Sequence, residues 1–180
     1  LKATEGIDAA DATFADDWRD AARVGLLRGA YHFYEPPDDP LEQARFFLDT
    51  VGPLGPGDLP PVLDVEVRRG VDADAVLAGV RAWLQAVEAA TGRRAMVYTG
   101  VNFWNALDSK SADRAAIADR ALWVASYRQE PALPDDWAEW TFWQYTERAT
   151  VPGIEREVDL NRFSGSLEDL ERLAELPAGS

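Results

Sequence analysis

Apolar residues recur along this chain at two different spacings, and Gly and Pro mark most of the places where one spacing gives way to the other. The clearest stretch covers residues 72–90, where Val76, Val80, Trp83, Leu84 and Val87 share one helical face and Thr91-Gly92 supplies a stop. A second helix is predicted over 14–24, with Phe14, Trp18, Ala21 and Ala22 on one side and Gly25 beyond its end. The turn Pro36-Pro37-Asp38-Asp39-Pro40 offers an N-cap and a proline for a first helical turn, so a third helix follows to about Val51. A fourth is predicted over 166–173. Between them lie strand-like segments at 1–4, 26–34, 61–67, 94–99, 121–126, 140–145 and 158–160, with 52–60 a Gly/Pro loop and 101–119 a loop with irregular helix.

Strands alternating with helices or loops imply a parallel sheet, either doubly wound or closed into a barrel. The polar residues separate the two. Asp64, Glu66, Tyr98, Tyr127, Gln144 and Asp159 fall at or near the C-terminal ends of the expected strands, the face that carries the active site in a barrel. An irregular β/α, TIM-like barrel is therefore expected, as one domain over 1–176 with a tail at 177–180. There is no internal repeat, low-complexity tract or linker.

Composition narrows the choice of partner. The 180 residues, 47% of them apolar, suffice for one sizeable core. A net charge of −14 and a pI near 4.4 argue against nucleic acid or an anionic membrane surface, which need clustered Lys and Arg. With no cysteine, a disulfide framework, a thiolate zinc site and a cysteine nucleophile are excluded; with one histidine, so is a His-rich metal site. No apolar run approaches the ~20 residues of a membrane span, so no membrane insertion is expected, and no signal-peptide pattern stands at Leu1. The aromatic residues, among them seven Trp, suit either a core or a platform for sugar rings. Nothing bears on oligomeric state.

The candidate chemistry centres on Leu63-Asp64-Val65-Glu66. Residues two apart on a strand point to one side, which places both carboxylates in one site. Glycoside cleavage needs that arrangement: one carboxyl held protonated to give a proton to the leaving oxygen, and a second beside it that raises its pKa and stabilises positive charge on the sugar. The same pair also suits a carboxylate-bound metal.

In order along the chain stand Lys2-Ala3-Thr4-Glu5-Gly6, Ala30-Tyr31-His32-Phe33-Tyr34, the 59–66 segment Leu-Pro-Pro-Val-Leu-Asp-Val-Glu, and Val97-Tyr98-Thr99-Gly100. The 122–127 segment Leu-Trp-Val-Ala-Ser-Tyr, the 142–146 segment Phe-Trp-Gln-Tyr-Thr and the 158–163 segment Val-Asp-Leu-Asn-Arg-Phe complete the series. Across nearly its whole length the sequence resembles a glycoside hydrolase family 25 lysozyme. The resemblance implies a retaining, substrate-assisted muramidase that needs no cofactor and acts on peptidoglycan glycan strands, outside the cell or in the cell wall. It makes Glu66 the general acid/base and Asp64 the partner of the substrate's own 2-acetamido group. Asp159 matches a third cleft carboxylate, and Glu5, Tyr31, Tyr98, Trp123, Tyr127, Trp143 and Gln144 fall where the family places cleft residues. Residue by residue other roles are open: Trp123 and Trp143 suit core as well as cleft, Asp159 a loop cap, Glu5 a turn, and His32 reads as a hydrogen-bonded inner-barrel residue.

The family opens with a strand bearing a Gly-Ile-Asp motif, which is absent ahead of Lys2. The barrel is therefore expected to lack its opening strand and helix, about 30 residues, with Asp8 in a loop despite standing in a Gly-Ile-Asp triplet, and the chain reads as a fragment. A cell-wall binding module without turnover, a family 18 chitinase-like hydrolase and a carboxylate-bound metal hydrolase are the competing readings.

Overall fold

A computed structural model describes residues 1–175; the tail expected at 177–180 lies outside the described residues. Eight strands form one sheet. They are β1 (Lys2–Glu5), β2 (Ala9–Ala10), β3 (Tyr31–Phe33), β4 (Val62–Asp64), β5 (Met96–Gly100), β6 (Leu122–Ala125), β7 (Phe142–Ala149) and β8 (Val158–Phe163). The order is β2-β1-β3-β4-β5-β6-β7-β8. β1, β3, β4, β5, β6 and β7 run parallel, and the outer strands β2 and β8 pair antiparallel with β1 and β7. Among the described residues no ladder joins the two ends, so the α/β single domain has the TIM-like build with its barrel left open.

The helices are α1 (Phe14–Arg23), α2 (Pro40–Val51), α3 (Ala73–Thr91), α4 (Val101–Asn105), α5 (Ala112–Ala118) and α6 (Leu167–Leu173). Their ends follow local chemistry. The Asp39 carboxylate accepts from the backbone N–H of Leu41 and Glu42 ahead of Pro40, and Asp72 accepts from Asp74 N–H at the start of α3. Gly92 ends α3 at φ 69°, a left-handed conformation that an L side chain would strain. Ser166 and Asp169 form a reciprocal capping box on α6.

Alternation along the strands divides the molecule into two apolar zones. Leu63, Val65, Val97 and Val124 point to the helix side, where Phe47 of α2 and Val80, Trp83 and Leu84 of α3 complete the larger core. Val62, Met96 and Phe142 point the other way into a smaller cluster, with Tyr31, Tyr98, Trp123 and Phe163 around it and Leu170 and Leu173 of α6 beneath. That second side is the inner face, and its upper part stays open.

His32 lies on the helix side and not inside the barrel, because it alternates with Tyr31 and Phe33. It is fully buried, stacked on Trp83 with ring centroids 5.5 Å apart. Gln43 Nε2 donates to the carbonyls of Glu35 and Asp38, so its Oε1 is the acceptor, taking the Glu35 N–H at 3.0 Å and His32 Nε2–H at 2.9 Å. That assigns His32 the Nε2–H tautomer, with Nδ1 accepting from Thr4 Oγ1 at 2.7 Å. Burial pushes its pKa down to about 4. A depressed folded-state value means that the stabilisation is present above the ordinary 6.5 and is lost as pH falls through 4. Gln43→Leu strands buried donors and acceptors and is expected to cost about 1–3 kcal/mol in urea unfolding at pH 7. An unchanged midpoint would show that this network does not hold α2 to the sheet.

Candidate active site

The open upper part of the inner face is a cleft of about 510 Å³ at the C-terminal ends of the parallel strands. Every strand but β2 contributes, mostly by alternation. Lys2 comes from β1, Tyr31 and Phe33 from β3, Val62 and Asp64 from β4 with Glu66 just beyond it, and Tyr98 from β5. β6 gives Trp123, with Tyr127 beyond its end; β7 gives Gln144 and Glu147; β8 gives Asp159 and Asn161.

β4 stops at Asp64, shorter than the strand expected over 61–67, yet Val65 N–H still donates to the Tyr98 carbonyl at 2.9 Å, so the extended path continues long enough to bring Glu66 to the Asp64 side. The two carboxyls differ in surroundings. Asp64 is 7% exposed, and its Oδ1 is buried without a hydrogen-bond partner among the described residues. Burial first, then the neighbouring Glu66, push its pKa up to about 8. Glu66 stands at the mouth, exposed by area but crowded by the walls; burial, Asp159 and Glu147 raise its pKa in that order. Both carboxyls are thus held above the ordinary carboxylate range, Asp64 mainly by burial and Glu66 by burial and its acidic neighbours.

An aromatic and amide wall faces the pair. Tyr98 and Tyr127 hydroxyls donate to Gln144 Oε1 at 2.7 and 2.9 Å, which fixes three cleft side chains against one another. Trp123 Nε1 donates to Asn161 Oδ1 at 2.8 Å, and its ring stacks on Phe142 with centroids 4.6 Å apart. Burial and the nearby carboxylates raise the pKa of Tyr31 and of Tyr127 to about 12, and that of Tyr98 higher still, so all three remain neutral donors.

Eight of the ten residues singled out from the sequence border this cleft: Asp64, Glu66, Asp159, Tyr98, Tyr31, Gln144, Tyr127 and Trp123. Trp143 and Glu5 do not. Trp143 alternates with Phe142 and Gln144 onto the helix side, buried, with Nε1 donating to the Ser126 carbonyl at 2.6 Å. Glu5 ends β1 in an ion pair with Lys2 at 2.5 Å. Asp8 sits exposed in the turn between β1 and β2. Glu147, Asn161 and Lys2 line the cleft without having been singled out. Asn161 was legible by alternation from Asp159; Lys2 was not, because β1 is irregular between Lys2 and Thr4 and Thr4 faces His32 on the helix side, and neither was Glu147. Among the described residues no three His, Asp or Glu side chains are placed to hold a metal ion.

A parallel sheet with helices packed on one face and a two-carboxylate cleft at its strand ends on the other defines a TIM-like α/β protein of the kind that binds polar ligands at the strand C-termini. The chain belongs to the glycosyl hydrolases family 25, whose model matches residues 1–154. It is 39% identical over 172 residues to the uncharacterized protein YegX of Escherichia coli K12, covering 95% of this chain and 60% of that one. It is 32% identical over 184 residues to lysozyme M1 of Streptomyces globisporus, covering 97% and 62%. The chain thus spans about 60% of the length of these curated relatives. In three dimensions it resembles the bacterial lysozyme from Streptomyces coelicolor, with a TM-score of 0.88 and 31% identity over 96% of this chain and 83% of that one.

Proposed function

We propose that this chain cleaves the β-1,4 bond between N-acetylmuramic acid and N-acetylglucosamine in peptidoglycan, with retention and with the substrate's acetamido group as nucleophile. The observation that carries the reading is the Asp64–Glu66 pair, one carboxyl buried and unpartnered, the other at the mouth, in one cleft on the inner face. The relatives named lysozyme support the same reaction.

Glu66 stands where a glycosidic oxygen can reach it and gives the proton to the departing sugar. Asp64 Oδ1, without a partner in the free protein, accepts the acetamido N–H as the carbonyl oxygen of that group closes on the anomeric carbon. Binding moves the proton in the direction the reaction needs. The N–H bond favours ionised Asp64, while the sugar covering Glu66 removes water from it and favours its protonated form. The two groups titrate as a pair, with one proton between them at working pH. Water then opens the cyclic intermediate, with Glu66 as the base. Peptidoglycan places the action outside the cytoplasmic membrane, at the cell wall; no helix of the described residues is long and apolar enough to cross a membrane.

The test is turbidity loss of purified bacterial cell walls, with mass spectrometry of the soluble fragments. Fragments ending in reducing N-acetylmuramic acid are the expected result. Reducing N-acetylglucosamine ends would reassign the bond, and wall binding without release would turn the reading into that of a non-catalytic peptidoglycan-binding module.

A further inference from the structure

Glu147 faces the cleft although simple strand alternation from Gln144 would turn it to the opposite side. The cause is the pairing of β7 with β8. Gln144 pairs with Asn161 and Thr146 with Leu160, so Tyr145 is an extra residue on β7; Thr146 and Ala149 then pair with Leu160 and Val158, which sets Glu147 and Arg148 together against Asp159. Each irregularity bends the strand, and the first reverses the parity of the β7 residues beyond it. The outcome is two like charges facing each other across a ladder, an arrangement that costs stability.

We propose that Glu147 is a positioning residue for the cleavage proposed above, on which this inference rests: turned inward by the β7 bulges, its carboxylate keeps the transferable proton on Glu66. The groups sharing the cleft with Glu66 are Asp64 on its own segment, Tyr31, Tyr98 and Tyr127 as neutral phenols, Asp159 on β8, Glu147 on β7 and Lys2 on β1. Lys2 is the one cationic side chain among them, and its ammonium is held by Glu5 at 2.5 Å. Among the described residues Glu147 has no comparable partner. Its ion pair is a 3.9 Å contact with exposed Arg148, and its side chain is about half exposed (52%). Tyr127 stands beside it: the phenol donates to Gln144 Oε1 at 2.9 Å, and the Glu147 carboxylate helps to hold that phenol neutral. Glu147 and Asp159 both raise the pKa of Glu66, so an ionised Glu147 makes loss of the Glu66 proton less favourable.

The experiment compares the wild-type chain with Glu147→Gln and Glu147→Asp. It reads the pH dependence of kcat/KM on solubilised glycan strands and, independently of turnover, the Glu66 carboxyl titration by carbon NMR. In Glu147→Gln the Glu66 midpoint and the alkaline limb are expected to move down together by about half a pH unit at low salt, an about threefold loss of kcat/KM on that limb. Glu147→Asp restores the wild-type position. The shift shrinks at ~0.5 M salt, because Glu147 is half exposed and screened. A uniform fall of kcat or rise of KM at every pH, with the Glu66 midpoint unmoved, would overturn the proposal and leave Glu147 a substrate contact or a structural residue. Should the wild type release no muramic-acid-ended fragments, the cleavage reading fails, while the NMR titration still decides whether Glu147 governs the Glu66 proton.

Discussion

Glu66→Gln is expected to reduce wall-lytic activity by about 10²–10⁴-fold or more while leaving the thermal unfolding midpoint within a degree or two of wild type. The amide keeps the size and polarity of the side chain but has no proton to give at accessible pH. Structurally the change is mild, since Glu66 is exposed at the cleft mouth, beyond the end of β4. The effect should fall on kcat, because the proton is delivered only as the glycosidic bond breaks. Fragment release measured across pH 4–9 checks this. Wild-type rates should form a bell whose limbs belong to the Asp64–Glu66 pair, and activity retained in the variant would remove Glu66 from the donor role.

Asp64→Asn is expected to move activity and stability in opposite directions. Activity falls by two or more orders of magnitude, because an amide holds the acetamido N–H less well and cannot stabilise positive charge at the sugar. Stability rises. The folded-state pKa of Asp64, about 8, stands above its ordinary 3.8, so the native state binds the proton more tightly than the unfolded chain. The stabilisation from this group is therefore complete below pH 3.8 and is lost as pH rises through 8. Above that, the wild type carries a buried carboxylate with an unpartnered oxygen, and the variant a neutral amide. The gain from Asn should be on the order of 2 kcal/mol at pH 8 and near zero at pH 4, a site in which function is kept at the expense of stability. Unfolding midpoints of both proteins at the two pH values measure it. An equal difference at both would mean that Asp64 is not held protonated by its surroundings.

The neighbourhood of β7 and β8 shows where reading from sequence stops. The expected strands at 140–145 and 158–160 are there, but each runs on, to Ala149 and to Phe163, through Glu147, Arg148 and Arg162, which have no apolar alternation to reveal them. The antiparallel partner supplies the ladder that the side chains do not advertise. The opposite error occurs at 26–34, where apolar residues suggested one long strand but pairing in β3 is confined to Tyr31–Phe33, with a single bridge from Arg28 to Asp58 ahead of it. Segment 101–119 resolves into α4 and α5, short helices without enough turns to impose a period.

The sequence by itself determined the elements whose signals are local. The helices α2 and α3 follow from their caps and apolar faces, and the placement of Asp64 and Glu66 on one side of a strand follows from a period of two. It also determined the family, through short motifs kept in order. Tertiary structure alone decided which side of the sheet is the cleft. Alternation says that Tyr31 and His32 part company, and Trp143 and Gln144 likewise, but not which of each pair is turned from the cleft; α2 and α3 settle the first by packing on His32, and Trp140 and the Ser126 carbonyl receive Trp143 on the outer side. Tertiary structure also decided the electrostatics. The high pKa of Asp64 comes from burial among other strands, and the inward turn of Glu147 from a register set jointly by two strands. Burial and register are properties of contacts between segments distant in sequence, so no local pattern encodes them.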